Sequence, residues 1–364
     1  MDRVDVFLDT LNDFDTFVRF ICIVIVVCII IFGIRQLTKG SCSFLPMSRI
    51  NGISKQDKRY QEKLRDYYIK SSYNSCSTGE YQNDWVNLCA LENVIKQGCR
   101  CLDFEVYEVD GKAVVATSNS TRFTEKGTYN YLTIDDVMKT IAEKALSNSM
   151  STEHCPNPFD PLFLHFRIKS NRTEVYDHLA DALVKHVNSK LLPNKNSYEN
   201  KGENLGSVPL SSLLGKVILM VDKIESNHIR ATKMDELVNI MGNSAFLHSL
   251  PYNEIIHTPD MDEMIDYNKK NMTIGYPNLS YKAKNYNSSI VMQYGVQMPA
   301  MCFQTNDAFL KAYNTLFEQT GFAFLLKPEK LRYKEVLVDE GKPIDPNLSY
   351  GYKTHKTNYY NFDL

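Results

Sequence analysis

Apolar positions fall along this chain in three rhythms, each predicting a different element. The first is unbroken. From Phe20 to Ile34 every residue is apolar or Gly, and Phe17, Val18 and Arg19 extend the run over 17–34, about 27 Å of helix at ~1.5 Å per residue. No polar stripe interrupts it, so it does not suit a helix packed on a domain surface. A cleavable signal peptide needs a basic leading region, yet Asp2, Asp5, Asp9, Asp13 and Asp15 outnumber Arg3 and Arg19. The pattern predicts a retained transmembrane anchor over 17–34, after a short acidic segment, 1–16, and before a juxtamembrane linker, 35–59.

The other two rhythms alternate from residue 60 to 335. Short apolar runs, "CLDFEVYEV", "KAVVAT", "PLFLHFRI" and "GKVILMV", predict buried strands, and "RDYYIK" a first strand that leaves into the loop "SSYNSCSTGEY". Between them lie helical patterns; 173–190 places Val175, Leu179, Ala182, Leu183 and Val187 on one face. Repeated βα alternation over this length favours a parallel α/β fold, either a barrel or a doubly wound sheet. No Gly-rich phosphate loop is present. The Tyr-rich tail, 336–364, predicts fraying.

Composition narrows the partners. A formal charge of −2 on 364 residues and no sustained basic block beyond the first sixty argue against nucleic acid. Arg35, Lys39, Arg49, Lys55, Lys58 and Arg59 follow the span while its leading side is acidic, which predicts a single-pass protein with its body in the cytoplasm or inside a virion. Of nine cysteines, Cys22 and Cys28 lie in the span and the other seven cannot all pair, unlike a disulfide framework. Cys99 and Cys101 lack the second pair a zinc site needs. Six Asn-x-Ser/Thr triplets, Asn119 and Asn171 among them, would argue for a lumenal body, although so Asn-rich a chain carries several by chance.

Motifs then carry a resemblance. "YYIKSSYNSCSTGEY", "ALENVIKQGCRCLDFEVYEVDGKAVV" and "LGKVILMVDK" resemble the X half of phosphoinositide-specific phospholipase C. "YNKKNMTIGYP", "NYNSSIVMQYGVQMPAMCFQTNDAF" and "GFAFLLKPEKLR" resemble its Y half. The resemblance implies a distorted TIM barrel with an X half at 60–223, a short linker at 224–235 and a Y half at 236–335, its chemistry at the C-terminal strand ends. The accessory lipid- and calcium-binding modules of the family's eukaryotic members, and its long inhibitory linker, have no counterpart in this sequence.

Carried over position by position, the family's site is altered. Its two catalytic histidines fall at Tyr73 and Thr117, whose hydroxyls titrate too high to cycle protons at neutral pH. Its calcium ligands are kept at Asn74, Asp103 and Glu105, but its fourth, a glutamate, falls at Arg167. A cation there would pair with the acids, so the calcium site is expected to be lost and no cofactor is expected. The family's two phosphate lysines fall at Met220 and Asp222, leaving Lys216 and Lys223 as the nearest cations, and its Y-half arginine falls at Ile274. Tyr276, whose counterpart packs on the inositol ring, remains. Two other histidines could take over proton transfer. His165 shares Arg167's strand face one layer deeper and otherwise reads as a hydrogen-bonded core residue; His257 otherwise reads as a surface residue.

Three readings follow. The leading one is a membrane-anchored, catalytically inactive pseudo-phospholipase that binds lipid, phosphoinositide headgroups or protein partners, or serves as a structural body. The second is an active phosphatidylinositol phosphodiesterase that works without metal, Arg167 standing in the calcium position. The third is an architectural membrane protein of a viral particle, prompted by an Asn-, Lys- and Tyr-rich composition that fits an AT-rich genome.

Overall fold

The structure, a computed structural model, describes the chain except residues 1–2, 39, 43–44, 121–123, 148–153, 197–203, 223–228, 336–351 and 364. It separates into two units, Met1–Arg332 and Tyr333–Leu364. The first opens on helix α1 (Arg3–Thr38), whose segment Thr16–Gly33 has a mean hydropathy of 2.9 and is not buried against the protein. It is long and apolar enough to cross a bilayer.

Eight strands form the body: β1 (Ser71–Ser72), β2 (Cys101–Val109), β3 (Leu162–Ile168), β4 (Val217–Asp222), β5 (Ile240–Gly242), β6 (Leu247–Pro251), β7 (Met272–Tyr276) and β8 (Met298–Met301). Neighbours pair in parallel in the order β5-β4-β3-β2-β1-β8-β7-β6. The ladder is open only between β5 and β6, where Ser244 N–H reaches the Leu247 carbonyl at 3.2 Å. This nearly closed parallel barrel is the distorted TIM barrel that the sequence implied.

Local chemistry explains the wall. β2, β3 and β4 are buried almost throughout, as strands enclosed on both faces must be. Phe104 and Phe166 lie on the face opposite Asp103 and Arg167 and pack with ring centroids 5.8 Å apart. The helix over Thr173–Val187 buries the five residues expected on its inner face, the two Val and two Leu among them each contributing about 1.5–3 kcal/mol if fully desolvated. The helix over Ala308–Thr320 starts where Asp307 accepts from Leu310 N–H at 2.8 Å and stops at Gly321, whose φ of 75° no β-carbon opposes.

Three expectations need correction. "KAVVAT" supplies a buried strand, Lys112–Ala116, as expected, but it breaks the expected βα alternation by running antiparallel to β2 outside the barrel. Asp110 and Gly111 take φ of 51° and 75°, the two left-handed positions of a tight hairpin turn, and send the chain straight back. Secondly, Cys42 and Cys89 form a disulfide that ties the segment after α1 to helix α2 (Leu88–Lys96), and the seven other cysteines are free thiols. Thirdly, the tail is not wholly irregular: Thr354–Lys356 pairs antiparallel with Asn361–Asp363 in an exposed hairpin. Of the expected linker 224–235, residues 224–228 lie outside the described residues, whereas Ile229 and Met234 are buried in the core.

Candidate functional site

Two neighbouring strands build the centre. Register sets Asp103 of β2 beside His165 of β3 and Glu105 beside Arg167, and the two-residue spacing puts all four on the same sheet face. Arg167 organises them. Its Nε donates to Asp103 Oδ1 at 2.9 Å and its Nη2 to Asp103 Oδ2 at 2.8 Å, a bidentate pair. Its Nη1 donates to Glu105 Oε1 at 2.5 Å and its Nη2 also to Asn74 Oδ1 at 2.8 Å. The loop after β1 delivers Asn74 with a φ of 45°, a left-handed conformation that Asn tolerates, and its N–H donates to Asp103 Oδ2 at 2.9 Å.

Aromatic rings close over this cluster. The guanidinium carbon lies 4.5 Å from the Tyr73 ring centroid and 5.8 Å from that of Tyr276, within cation–π range. Tyr73 and Tyr276 stack 7° from parallel at 5.7 Å, and Tyr81 meets Tyr73 edge-on at 5.6 Å. Burial pushes the Tyr73 phenol well above its ordinary pKa, so it stays protonated. Arg167 keeps only 5% of its surface exposed.

One layer deeper, His165 bridges two acids. Nδ1 lies 2.8 Å from Asp103 Oδ1 and Nε2 lies 2.8 Å from Asp222 Oδ1. Both nitrogens can donate only when the ring is cationic. Burial alone would lower the imidazole's pKa, but Asp222 and Asp103 outweigh it and raise it to about 9. Burial likewise works against the Asp103 charge, yet Arg167 and His165 hold that carboxyl well below the usual range. Glu105 Oε2 accepts from Tyr107 OH at 2.9 Å and from Ser118 N–H at 3.0 Å. Lys169, its pKa lowered chiefly by burial, lies in the field of the same three carboxylates. Arg167 and His165 thus face Asp103, Glu105 and Asp222, and each of the three carboxylates has a cation within 2.8 Å.

The sequence candidates divide accordingly. Tyr73, Asn74, Asp103, Glu105, His165, Arg167 and Tyr276 come together. Thr117 follows the antiparallel strand and is buried, its hydroxyl donating to the Tyr81 carbonyl at 3.1 Å. Met220 and Ile274 are buried without charge. Lys216 precedes β4 and so stands at the N-terminal end of the strand whose other end carries Asp222; it cannot share a ligand with Tyr276. Lys223 lies outside the described residues. His257 ends the single helical turn Tyr252–Ile256 and lines an open surface hollow with His248 and Glu254, away from Arg167. Sequence reading missed Asp222 as the partner of His165, although an acid ending a fully buried strand must find a cation. It also missed Tyr81, which carries no motif.

The calcium expected of the family does not fit these residues. The oxygens of Asn74, Asp103 and Glu105 that would ligate it already accept from a guanidinium at 2.5–2.9 Å. Both nitrogens of His165 face carboxylates, and the ring is wholly buried.

Fold and site together define a parallel-barrel protein of the phospholipase C type, with the acid pair and loop asparagine at the C-terminal side of its first two strands. Residues 60–223 match the family model for the X domain of phosphatidylinositol-specific phospholipase C, and residues 221–330 match that for its Y domain. The chain belongs to the phosphatidylinositol-specific phospholipase C family. Among solved structures it is similar to PLC21 of S. officinalis, at TM-score 0.61 and 21% identity, and to PLC21 of L. pealei, at 0.60 and 21%. Each alignment covers 75% of this chain and 38% of the other, so this chain spans under two fifths of their length. No curated protein sequence matches it.

Two outcomes test the site's energetics. Arg167→Ala leaves the buried Glu105 without its cation and Asp103 with only the His165 that it shares with Asp222, and should cost about 3–5 kcal/mol of stability, read as a lower urea midpoint; an unchanged midpoint would mean that the pair is not buried as described. A group whose folded pKa exceeds its unfolded one stabilises fully below the unfolded value and ceases to as pH rises through the folded one. The His165 contribution, on the order of 3 kcal/mol, should therefore fade between about pH 6.5 and 9. His165→Asn should flatten that part of the pH–stability curve, and a wild-type curve that is already flat there would refute the charged assignment.

Proposed function

We propose that this chain is a membrane-anchored pseudo-phospholipase: a phospholipase C barrel that has given up hydrolysis and serves as a binding or structural body. One observation carries the reading. Arg167 occupies the space between the acids and Asn74, under stacked tyrosines, so the polar centre is satisfied before any substrate arrives. A site that stabilises a phosphorane must keep donors free for its developing charge. Here the residues at the phosphate-lysine positions are Met220 and Asp222, and the one at the Y-half arginine position is Ile274. Absent proton transfer costs a further ~10²- to 10⁴-fold for each missing group.

The metal-independent phosphodiesterase reading draws its support from Arg167 alone. It needs a proton carrier, and His165 is sealed between two carboxylates. Calcium is not a cofactor on our reading, and phosphoinositide headgroups or protein partners would meet the barrel elsewhere than at the Arg167 cluster.

The test is inositol phosphate release from vesicles containing phosphatidylinositol and its phosphates, with the full chain, with and without calcium. No release above background is expected, and calorimetry should show no saturable calcium heat at micromolar levels. Turnover abolished by Arg167→Ala would instead establish a metal-independent phospholipase.

The anchor is helix α1, and its flanking charges favour a cytoplasmic barrel. The Cys42–Cys89 bond requires an oxidant on whichever side the barrel lies. Protease added to sealed membranes is expected to digest residues 60–335 from the cytoplasmic face. Protection of the barrel, with a glycan on the exposed Asn171, would place it in the lumen.

A further inference from the structure

The strand ladder breaks between β5 and β6, and beside that break lies a cavity of about 200 Å³. Its walls come from the starts of strands rather than their ends. Ile240 opens β5, Met272 opens β7 and Phe246 immediately precedes β6, while Leu205, on the single helical turn Leu205–Ser207, completes the apolar lining. The cavity therefore occupies the N-terminal end of the barrel, opposite the end where the family's chemistry is sited.

Register turns two of these side chains inward. Ile240 pairs with Met220, two residues before Asp222, and Met272 pairs with Leu247, two residues before Ser249. Asp222 and Ser249 both meet the buried His165, so alternation puts Ile240 and Met272 on that inner face. Both are buried, whereas Ala245, in the connection from β5 to β6, is exposed and its neighbours Ser244 and Phe246 are half-buried. The cavity opens at this connection.

The lining selects against water and against charge. Its polar side chains are Asn204, Asn239 and Ser244, and none of its side chains is charged. Asn204 accepts from Gly206 N–H at 2.9 Å and donates to the Lys270 carbonyl at 2.8 Å and to Asn271 Oδ1 at 2.9 Å. Asn239 accepts from Leu219 N–H at 2.9 Å and donates to the Asn196 carbonyl at 3.3 Å, and Ser244 Oγ accepts from Phe246 N–H at 3.2 Å. A cavity water needs about 2–4 polar partners, and these groups are already engaged within the protein. Left empty, the space deprives Met241, Met272 and Phe246 of contacts on one side. An engineered apolar cavity of ~150 Å³ stays dry and takes benzene, and methionine sulfur favours the edge of an aromatic ring.

We propose that this cavity is a binding site for a small, uncharged aromatic ring, of about the size of benzene, which enters at the break between β5 and β6. An anion would find no cation in the lining. The site lies at the other end of the barrel from the Arg167 cluster, so the assignment stands whether or not the barrel hydrolyses lipid.

The test uses the full chain in phosphatidylcholine nanodiscs with isotopically labelled methionine methyls, and follows Met241 and Met272 by NMR during titration with benzene and with benzoate, free concentrations being measured in the aqueous phase. Benzene should shift both methyls saturably, with a Kd of about 1 mM or tighter. Benzoate, the same ring carrying a charge, should bind at least tenfold more weakly. Met272→Gln, which places an amide in the cavity, should weaken benzene at least tenfold, read at Met241. Ala245→Trp, on the exposed connection, should do the same by filling the mouth, and decides the matter if the first variant does not fold. A benzene titration that saturates neither methyl, benzoate binding as tightly as benzene, or a benzene affinity indifferent to Ala245→Trp would each overturn the assignment.

Discussion

Burying Arg167 removes a permanent cation from water, at a cost of several kcal/mol that only close carboxylates offset. Asp103 and Glu105 supply them, and each in turn would be untenable in the barrel without the guanidinium. The rest of the centre follows from that mutual requirement. Asn74 turns its carbonyl oxygen inward because one more guanidinium N–H needs an acceptor. Tyr73 and Tyr276 lie flat over the cluster because a π-face is one of the few apolar surfaces that favours a cation beneath it. Aliphatic side chains there would exclude water equally well without that attraction.

The second layer shows the same dependence at one remove. Asp103 accepts from both Arg167 and His165 through Oδ1, so the two cations share an acid and must be balanced by a further one. Asp222 fills that place on β4. From the resemblance alone, Asp222 reads as a simple loss of phosphate affinity. In the structure it is the counter-ion that allows His165 to remain charged. Arg167, His165 and Asp222 are thus one linked set of charges, and removing any of them alone would leave a buried charge short of a partner.

How far the sequence could be read depended on whether the signal was local. The period of two in 101–109 and 162–168 gave both strands and placed Asp103, Glu105, His165 and Arg167 on shared faces, which sufficed to expect the ion pairs. The Asp110–Gly111 turn was also legible, because Asp-Gly between apolar runs is a strong hairpin signal; reading an unbroken βα alternation passed over it. The Cys42–Cys89 bond was not legible, since nothing local brings the segment after α1 to the start of α2. Lys216 and Asp222 lie six positions apart along one strand and hence at its opposite ends, a distinction that a motif-by-motif comparison erases. The His165–Asp222 contact depends on the stagger between β3 and β4, which becomes known only when the barrel is assembled.

Satisfaction of this centre bears directly on function. An enzyme's polar groups are arranged for a charge distribution that exists only in the transition state, so in the ground state some of them must be poorly served by their neighbours. In this chain the acids are neutralised by residues on their own and adjacent strands, the proton carrier has a carboxylate at each nitrogen, and aromatic rings close the mouth. Opening such a site to an anionic headgroup would break ion pairs before any new contact formed. Asn74 marks the limit of that satisfaction, because its Oδ1 is held by Arg167 while the Nδ2 of the same amide has no acceptor.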